Sequence, residues 1–443
     1  MNLGLGIGPT LIGPAFSWSP SRLRVGTRDV RDLTLRPNRM YSNLLGTTPI
    51  AGPGAEVAAI RDSRGVLVAT QATAAARPKY AVEPAVGVRN RATGSAAVAD
   101  DARWFDTSTS DGVTATKLSS GVTPDGNAWA RYQVAGTATG TAFPQLYNGV
   151  QSRTPASSGQ SWTTSALARV ESGTTGSAAS GLRVNADEET APATSVGSAV
   201  SPVFSGASLT TISATRAITT GNQARASLLY RLGDGETADC IVYVEALQFE
   251  LGTTRTAWQA NRSQFDITEA NVRSVNALVT DGVDDFMSLA TGFEPAGAFT
   301  VAASFVPTGV FPVRLFSNDS GFAQIGFGSA TLGEVRANNT ANRSEFSPLA
   351  NLLPNPTVNI VRVQDAASAT FWRNGVATTG TVTGDAAPLA AGGLTRMFQI
   401  TTGVGGALRF FGGVMIDEGN TPFTEAERLM TQRYLAYNGG ITL

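Results

Sequence analysis

Short apolar stretches followed by tight turns run along most of the chain. Apolar and small residues alternate over residues 299–305, a pattern typical of a half-buried β-strand. Dipeptides that favour tight turns recur at the spacing of antiparallel strands: Asp111-Gly112, Asp125-Gly126, Asn148-Gly149, Asp234-Gly235 and Asn374-Gly375. The pattern predicts an all-β protein with two antiparallel β-sandwich (jelly-roll) domains in tandem.

One helical pattern stands at the end of the chain. Thr424 can cap a helix whose third residue is Glu427, and Asn438-Gly439 can stop it. The apolar positions expected on its buried face are Ala426, Leu429, Met430 and Tyr437. We therefore expect one short C-terminal helix.

The same pattern divides the chain into four parts. Residues 1–37 alternate Gly, Pro and apolar residues before an Arg-rich end, which predicts an extended arm that docks on a partner surface, with a disordered tail as the alternative. Residues 38–86, punctuated by Gly and Pro, predict a connector. Residues 87–262 and 263–443 are then the two sandwiches. The first residues lack the basic start of a secretion signal and are too interrupted by glycine to span a bilayer.

Composition narrows the possible functions. The net charge is -1, which gives no general field for nucleic acid or an anionic membrane. The chain has no histidine, so it lacks the usual general base and the commonest metal ligand. Its single cysteine, Cys240, lies in an apolar run and is expected to be a buried small hydrophobe. We expect no enzyme, no cofactor and no resident metal.

Residues 46–49, 62–63 and 69–78 resemble a lead-in segment of tail and minor structural proteins of bacteriophages and phage-like gene-transfer particles. The run Ala-Thr-Gln-Ala-Thr-Ala-Ala-Ala-Arg-Pro at residues 69–78 is the most specific part of this resemblance.

Each predicted sandwich also carries a resemblance. The pieces similar to the carbohydrate-binding-module-like jelly roll of phage tail proteins are residues 111–118, 158–169 and 244–253. The pieces similar to concanavalin A-like lectin and laminin-G-like sandwiches are residues 278–286, 299–305, 369–376 and 410–416.

These resemblances imply a virion structural protein, namely a tail fibre, tail tip or spike that contacts host surface polysaccharide. They imply binding to other virion proteins through residues 1–37, a homo-oligomer, expected to be a trimer, and assembly in the host cytoplasm before release by lysis. A purely architectural head-decoration or tail-surface protein is the first alternative, and a capsule-degrading glycoside hydrolase is the second.

Glycan sites on β-sandwiches combine an aromatic ring that stacks on the sugar with polar groups that bond its hydroxyls. Trp104 and Trp162 lie where the resembled family has structural aromatics, so the candidate carbohydrate-binding residues are Trp129, Tyr147 and Trp372. For any single ring, packing in a core is the more common role.

Acidic residues suggest two further kinds of site, a calcium site and a catalytic pair of carboxylates. Asp281, Asp284 and Asp285 have oxygens that suit calcium, but their spacing is not that of an EF-hand loop and a structural turn is favoured. A hydrolase needs carboxylates on one strand face. Glu245 and Glu250, five apart, are expected on opposite faces, and residues 187–189 are expected in a polar loop, so the sequence predicts no catalytic pair.

Overall fold

The computed structural model describes residues 20–443 with internal gaps, and the fold is stated for those residues alone. The ranges outside the description are 1–19, 25–27, 100, 150–152, 192–193, 309–312, 319–323, 330–331, 340–341, 347–355, 366–367, 380, 384–392, 399–406 and 442. The described residues form strands and one α-helix, which confirms the all-β prediction and the C-terminal helix. In this part of the chain no helix is long and apolar enough to cross a membrane.

The chain folds into two compact units, and one of them is discontinuous in sequence. Unit 1 joins the described residues up to Gly87 with Ser274–Leu443, and unit 2 is Val88–Arg273. Unit 2 is thus inserted between two segments of unit 1, which differs from the predicted order of arm, connector and two successive sandwiches.

The strands are numbered along the chain. Those of unit 1 before the insertion are β1 (Asp29–Asp32), β2 (Met40–Tyr41), β3 (Ala59–Arg61), β4 (Leu67–Thr70) and β5 (Lys79–Pro84). Those of unit 2 are β6 (Thr107–Ser110), β7 (Val113–Val122), β8 (Ala128–Thr137), β9 (Gln145–Asn148), β10 (Thr154–Pro155), β11 (Ser161–Thr174), β12 (Gly181–Thr190), β13 (Thr194–Val200), β14 (Thr210–Ala217), β15 (Gln223–Arg231), β16 (Thr237–Leu251), β17 (Gln259–Ser263) and β18 (Asp266–Glu269).

Unit 1 resumes after the insertion. Its remaining elements are β19 (Ser274–Val279), β20 (Met287–Phe293), β21 (Phe299–Pro307), β22 (Val313–Ser317), β23 (Gln324–Ser329), β24 (Leu332–Asn339), β25 (Asn342–Phe346), β26 (Thr357–Asp365), β27 (Ser368–Arg373), β28 (Val376–Thr379), β29 (Thr381–Thr383), β30 (Leu394–Met397), β31 (Leu408–Asp417) and α1 (Glu425–Gly439). Short 3-10 turns cover Pro20–Leu23, Pro37–Arg39 and Ala74–Ala76.

Unit 1 is a sandwich of two antiparallel sheets. One sheet has the order β5-β19-β31-β21-β26-β27-β28, with β1 also paired to β31. The other has the order β2-β3-β4-β20-β30-β22-β23-β24-β25-β29. Phenylalanine rings fill the space between the sheets, among them Phe299, Phe305, Phe327 and Phe410, which are all buried. The Asn374-Gly375 pair turns β27 into β28 with both residues at positive φ, as predicted for a hairpin.

The segments predicted as arm and connector supply strands and core residues of unit 1. β1 pairs with β31, and Leu33 is completely buried in the core beside Met40 and Ile60. The buried Arg28 guanidinium donates to the Thr421 carbonyl at 2.8 Å and pairs with a carboxylate of α1. The described residues between 20 and 37 are therefore an integral part of the sandwich, and residues 1–19 and 25–27 of the predicted arm lie outside the described residues.

The terminal helix begins at the predicted cap but buries a different face. Thr424 and Glu427 form the reciprocal capping box, and Gly440, in the left-handed region, ends the helix. Ala426 and Leu429 are exposed, while the buried face includes Tyr434 and Leu435. This face covers the sheet opposite the main core, so every residue of β21 is buried and the strand is not half-buried as its alternation predicted.

Unit 2 is a second antiparallel sandwich. Its six-stranded sheet has the order β14-β11-β16-β8-β7-β6, and its five-stranded sheet has the order β10-β15-β12-β13 with β9 paired to β15. The core between them holds the rings of Trp104, Tyr132, Trp162 and Phe249, and Cys240 is buried there as expected.

Candidate functional site

The three candidate aromatic residues lie in three different environments. Tyr147 is completely buried, its ring packs edge-on against Trp104 at 5.2 Å, and its hydroxyl donates to the Thr93 carbonyl. It therefore presents no surface to a ligand, because its strand β9 faces the core at this position. Trp372 is partly buried beside the terminal helix, with the Arg428 guanidinium 5.4 Å from its ring centre.

Trp129 alone of the three lies on an open sheet face with polar neighbours. Ala128 and Ala130 on either side of it face the core, so Trp129 points outward from the six-stranded sheet of unit 2. The same alternation turns Tyr243 of β16 and Arg169 of β11 outward on the neighbouring strands.

These outward residues form one cluster, which we call the Trp129 row: Trp129 and Arg131 of β8, Tyr243 and Glu245 of β16, and Arg169 and Glu171 of β11. Strand pairing places Trp129 opposite Glu245, Arg131 opposite Tyr243, and Tyr243 opposite Arg169. Because neighbouring strands lie about 4.8 Å apart, the row extends about 10 Å across the sheet.

The centre of the row is a stack of planar groups. The ring centres of Trp129 and Tyr243 are 5.7 Å apart, with an angle of 25° between the rings. On the same tyrosine ring the Arg169 guanidinium lies 4.4 Å from the centre, within cation–π distance. Tyr243 is therefore only 8% exposed, while Trp129 at the end of the stack is half-buried.

Ionic hydrogen bonds fix the polar side of the row. Glu171 accepts from the Arg131 Nε at 2.6 Å and from Arg169 at 2.9 Å, so it holds both guanidinium groups in place. Burial alone would raise the pKa of Glu171, but the hydrogen bonds from the two arginines outweigh it and lower the pKa. The two arginine side chains keep 38% of their surface exposed, so they can still donate to a ligand.

Glu245 closes the other end of the row. It accepts from the Tyr243 hydroxyl at 2.6 Å and from the Asn127 amide at 3.3 Å. Burial first, and then the hydrogen bond to this carboxylate, raise the pKa of Tyr243, which therefore remains a neutral donor.

A glycine makes room for the indole. Gly121 of β7 lies directly opposite Trp129, and a Cβ atom built on it would lie 2.9 Å from the indole Cζ2. Any larger residue would therefore move the ring. Trp129 was a predicted candidate because Trp104 and Trp162 match structural aromatics of the resembled family. Arg131, Arg169, Glu171 and Tyr243 were missed, because which strands lie beside β8 is decided far along the chain.

The Trp129 row combines the two parts that a glycan site needs. The aromatic stack offers apolar surface, and the fixed Arg and Glu groups offer donors and acceptors for hydroxyls at its edge. All of the carboxylates described in the row are already bonded, so the arrangement suits binding better than proton transfer.

Residues 187–189 lie on strand β12 and not in the predicted loop. Asp187 and Glu189 are two residues apart on one strand, which is the even spacing that the sequence was expected to lack. Arg225 donates to Asp187 at 3.0 Å and pairs with Glu189 at 3.2 Å, and both acids are almost fully buried. The acids are thus neutralised by arginine and are not poised to donate a proton to a glycosidic oxygen.

Glu245 and Glu250 also differ from the prediction, since both face outward. A bulge at Ala246, which has φ 53°, inserts an extra residue, so Leu247 and Phe249 beyond it return to the core. Glu250 is 1% exposed and accepts from Gln248 and from the backbone N–H of Thr256, both at 2.8 Å. It has no access to a bound sugar in this structure.

The third acidic group lies in unit 1. Asp281, Asp284 and Asp285 place carboxylate oxygens within 4.8 Å of one another. Asp281 accepts from the Val283 N–H at 2.8 Å, and Asp285 accepts from the Asp281 N–H at 2.9 Å, so these acids close the turn before β20. Burial, then the charges of the two neighbouring aspartates, raise the pKa of Asp285 to about 7.

Comparison with known proteins gives only weak structural similarity. No protein-family model matches the sequence, and no curated protein matches it. Among solved structures, domains LG4-5 of the mouse laminin alpha1 chain are similar to 66% of this chain and 90% of theirs, with 10% sequence identity and a TM-score of 0.21. A TM-score this low does not identify a shared fold, so the sandwich architecture of both units is stated from their own strand pairing.

Proposed function

We propose that this protein is a non-enzymatic carbohydrate-binding protein whose binding face is the Trp129 row of unit 2. The observation that carries the proposal is the stack of Trp129, Tyr243 and Arg169 beside bonded but accessible arginines. A glycan ring would contact Trp129 at the end of the stack, while Arg131 and Arg169 would donate to its hydroxyls.

Binding at each face is expected to be weak. One aromatic stack contributes about 1 kcal/mol beyond the buried area, so strong attachment would depend on several faces acting together. A homo-oligomer, a trimer in our proposal, would supply these copies.

We further propose that the protein is a virion component, a tail fibre, tail tip or spike that attaches the particle to host surface polysaccharide. Support for this part comes from the phage-like lead-in resemblance of residues 46–49, 62–63 and 69–78. The described residues between 20 and 37 belong to the folded unit 1, so docking to other virion proteins is proposed for residues 1–19. The protein would be assembled in the host cytoplasm and released by lysis.

A bacterial glycan array tests the binding function. The intact protein, the Trp129→Ala variant and a Leu118→Ala control should be applied at equal concentration, since Leu118 is exposed on the neighbouring strand β7. We expect the intact protein and the control to bind the same glycans and Trp129→Ala to lose them. Equal binding by all three proteins would contradict the assignment of this face, and shortening of a polysaccharide would contradict the non-enzymatic role.

A truncation tests the virion function. Removal of residues 1–19 should leave a folded protein that fails to enter particles, measured by immunoblotting of purified particles. Normal incorporation of the truncated protein would contradict the docking role.

A further inference from the structure

The outer face of the five-stranded sheet in unit 2 carries an excess of positive charge. The charged residues whose side chains meet there are Arg153, Arg183, Asp187, Glu189, Arg225 and Arg231. Arg225 binds Asp187 and Glu189, and Arg153 also binds Glu189. Asp187 and Glu189 are therefore already paired with other arginines, and Arg183 and Arg231 are the two charged residues of this set that form no ion pair with them.

Strand pairing brings these two arginines together. Arg231 of β15 lies opposite Gly181 of β12. Arg183 lies on β12 two residues after Gly181 and is opposite Leu229 of β15. The arginines are therefore diagonal neighbours on one face, a relation that places their backbones about 7–8 Å apart and their long side chains within reach of one point.

Neither guanidinium has an acidic partner in the described part of the chain. Arg231 donates to the Ala179 carbonyl, and the enclosed Nε of Arg183 has no hydrogen-bond acceptor. Eight other arginines of unit 2 pair with a carboxylate. Burial, and then repulsion by Arg231, lower the pKa of Arg183, which agrees with their proximity.

We propose that Arg183 and Arg231 form an anion site that binds the carboxylate of an acidic polysaccharide. A carboxylate has two oxygens and can accept from two planar guanidinium groups at once, which offsets the repulsion between them. One isolated pair suits a single charged group, whereas a polyphosphate chain requires a row of several basic residues. The anion site stands apart from the Trp129 row, while the choice of a polysaccharide rests on the proposed function.

Oligogalacturonate and its methyl ester are matched probes for this site, because they share a sugar ring and differ in the charged carboxylate. Binding of each probe to the full chain should be measured by calorimetry for the unchanged protein, Arg183→Gln, Arg231→Gln and the double variant. Arg262→Gln is the control, since it removes an equal charge from an exposed arginine elsewhere in unit 2.

We expect the unchanged protein and Arg262→Gln to bind the acid and not the ester, and each site variant to bind at least tenfold more weakly. Without ligand, the site variants should unfold at the same or a higher temperature, because like-charge repulsion is removed. Equal binding of acid and ester, or unchanged binding by the double variant, would overturn the anion site. A loss of binding in Trp129→Ala alone would also overturn it and would leave the proposed function intact.

Discussion

A fragment that contains only residues 263–443, the predicted second sandwich, should not fold. It lacks β1 to β5 and with them the core residues Leu33, Met40 and Ile60, all completely buried. Truncating such a side chain to alanine alone costs about 2–5 kcal/mol, so losing three costs about 6–15 kcal/mol. This equals the entire stability of a typical domain, about 5–15 kcal/mol.

The control for this prediction is a single chain in which a short linker joins residues 20–87 to residues 274–443. Ser274 pairs with Pro84, so a short Gly/Ser linker can replace unit 2 without strain. Urea unfolding followed by circular dichroism should show a cooperative transition for the joined chain and none for the fragment 263–443. A cooperative transition of the fragment, at the midpoint of the joined chain, would refute the discontinuous organisation of unit 1.

Three further substitutions probe other parts of the structure. Glu188→Gln should destabilise unit 2 by about 2 kcal/mol in chemical unfolding, because this buried carboxylate binds Arg216 and three backbone N–H groups; an unchanged midpoint would contradict this. Asp285→Asn should raise the unfolding temperature at pH 8 in the presence of a chelator and have little effect at pH 4. The pKa of Asp285 is about 7 in the folded protein and 3.8 ordinarily, so the folded state favours the protonated carboxyl and loses this stabilisation as the pH rises through 7. A difference in unfolding temperature that does not depend on pH would contradict this. Tyr147→Ala should cost about 3–5 kcal/mol of stability as a core truncation, and a fully stable variant would contradict its buried position.

The features that could be read from the sequence are those decided by a few neighbouring residues. The turns at Asp111-Gly112 and Asn374-Gly375 need only two residues with positive φ, and the capping box needs only Thr424 and Glu427. Each of these predictions is confirmed, because no distant part of the chain has to be known.

The features that were missed depend on partners far along the chain. β1 has four residues and pairs with β31, almost 400 residues later. Because its partner is so distant, its sequence alone predicted part of an extended arm and not a strand. The bulge at Ala246 brings Glu245 and Glu250 to one face, although they are five positions apart. An alanine with positive φ, unlike the Asp-Gly and Asn-Gly turns, has no local sequence signal.

In the candidate site, too, one residue was predicted and the features set by distant strands were missed. Trp129 was predicted as a candidate from its residue type and from the resemblance, and the structure then places its ring outward. Its stacking partner Tyr243 and the arginines around it come from β16 and β11, whose places beside β8 are set by the complete sheet. Tyr147 could not be separated from Trp129 by sequence, because both are aromatic residues close to a turn.

The most direct test of the glycan-binding face is the affinity of the Gly121→Ala variant for the glycan that the array identifies. The added methyl group would approach the indole to 2.9 Å and displace Trp129 without removing it or any polar group of the row. Calorimetry should show at least a tenfold loss of affinity, about 1.4 kcal/mol, for Gly121→Ala and for Trp129→Ala, with unfolding temperatures close to that of the unchanged protein. Unchanged affinity in both variants, with both proteins folded, would contradict the central claim that the Trp129 row binds the glycan.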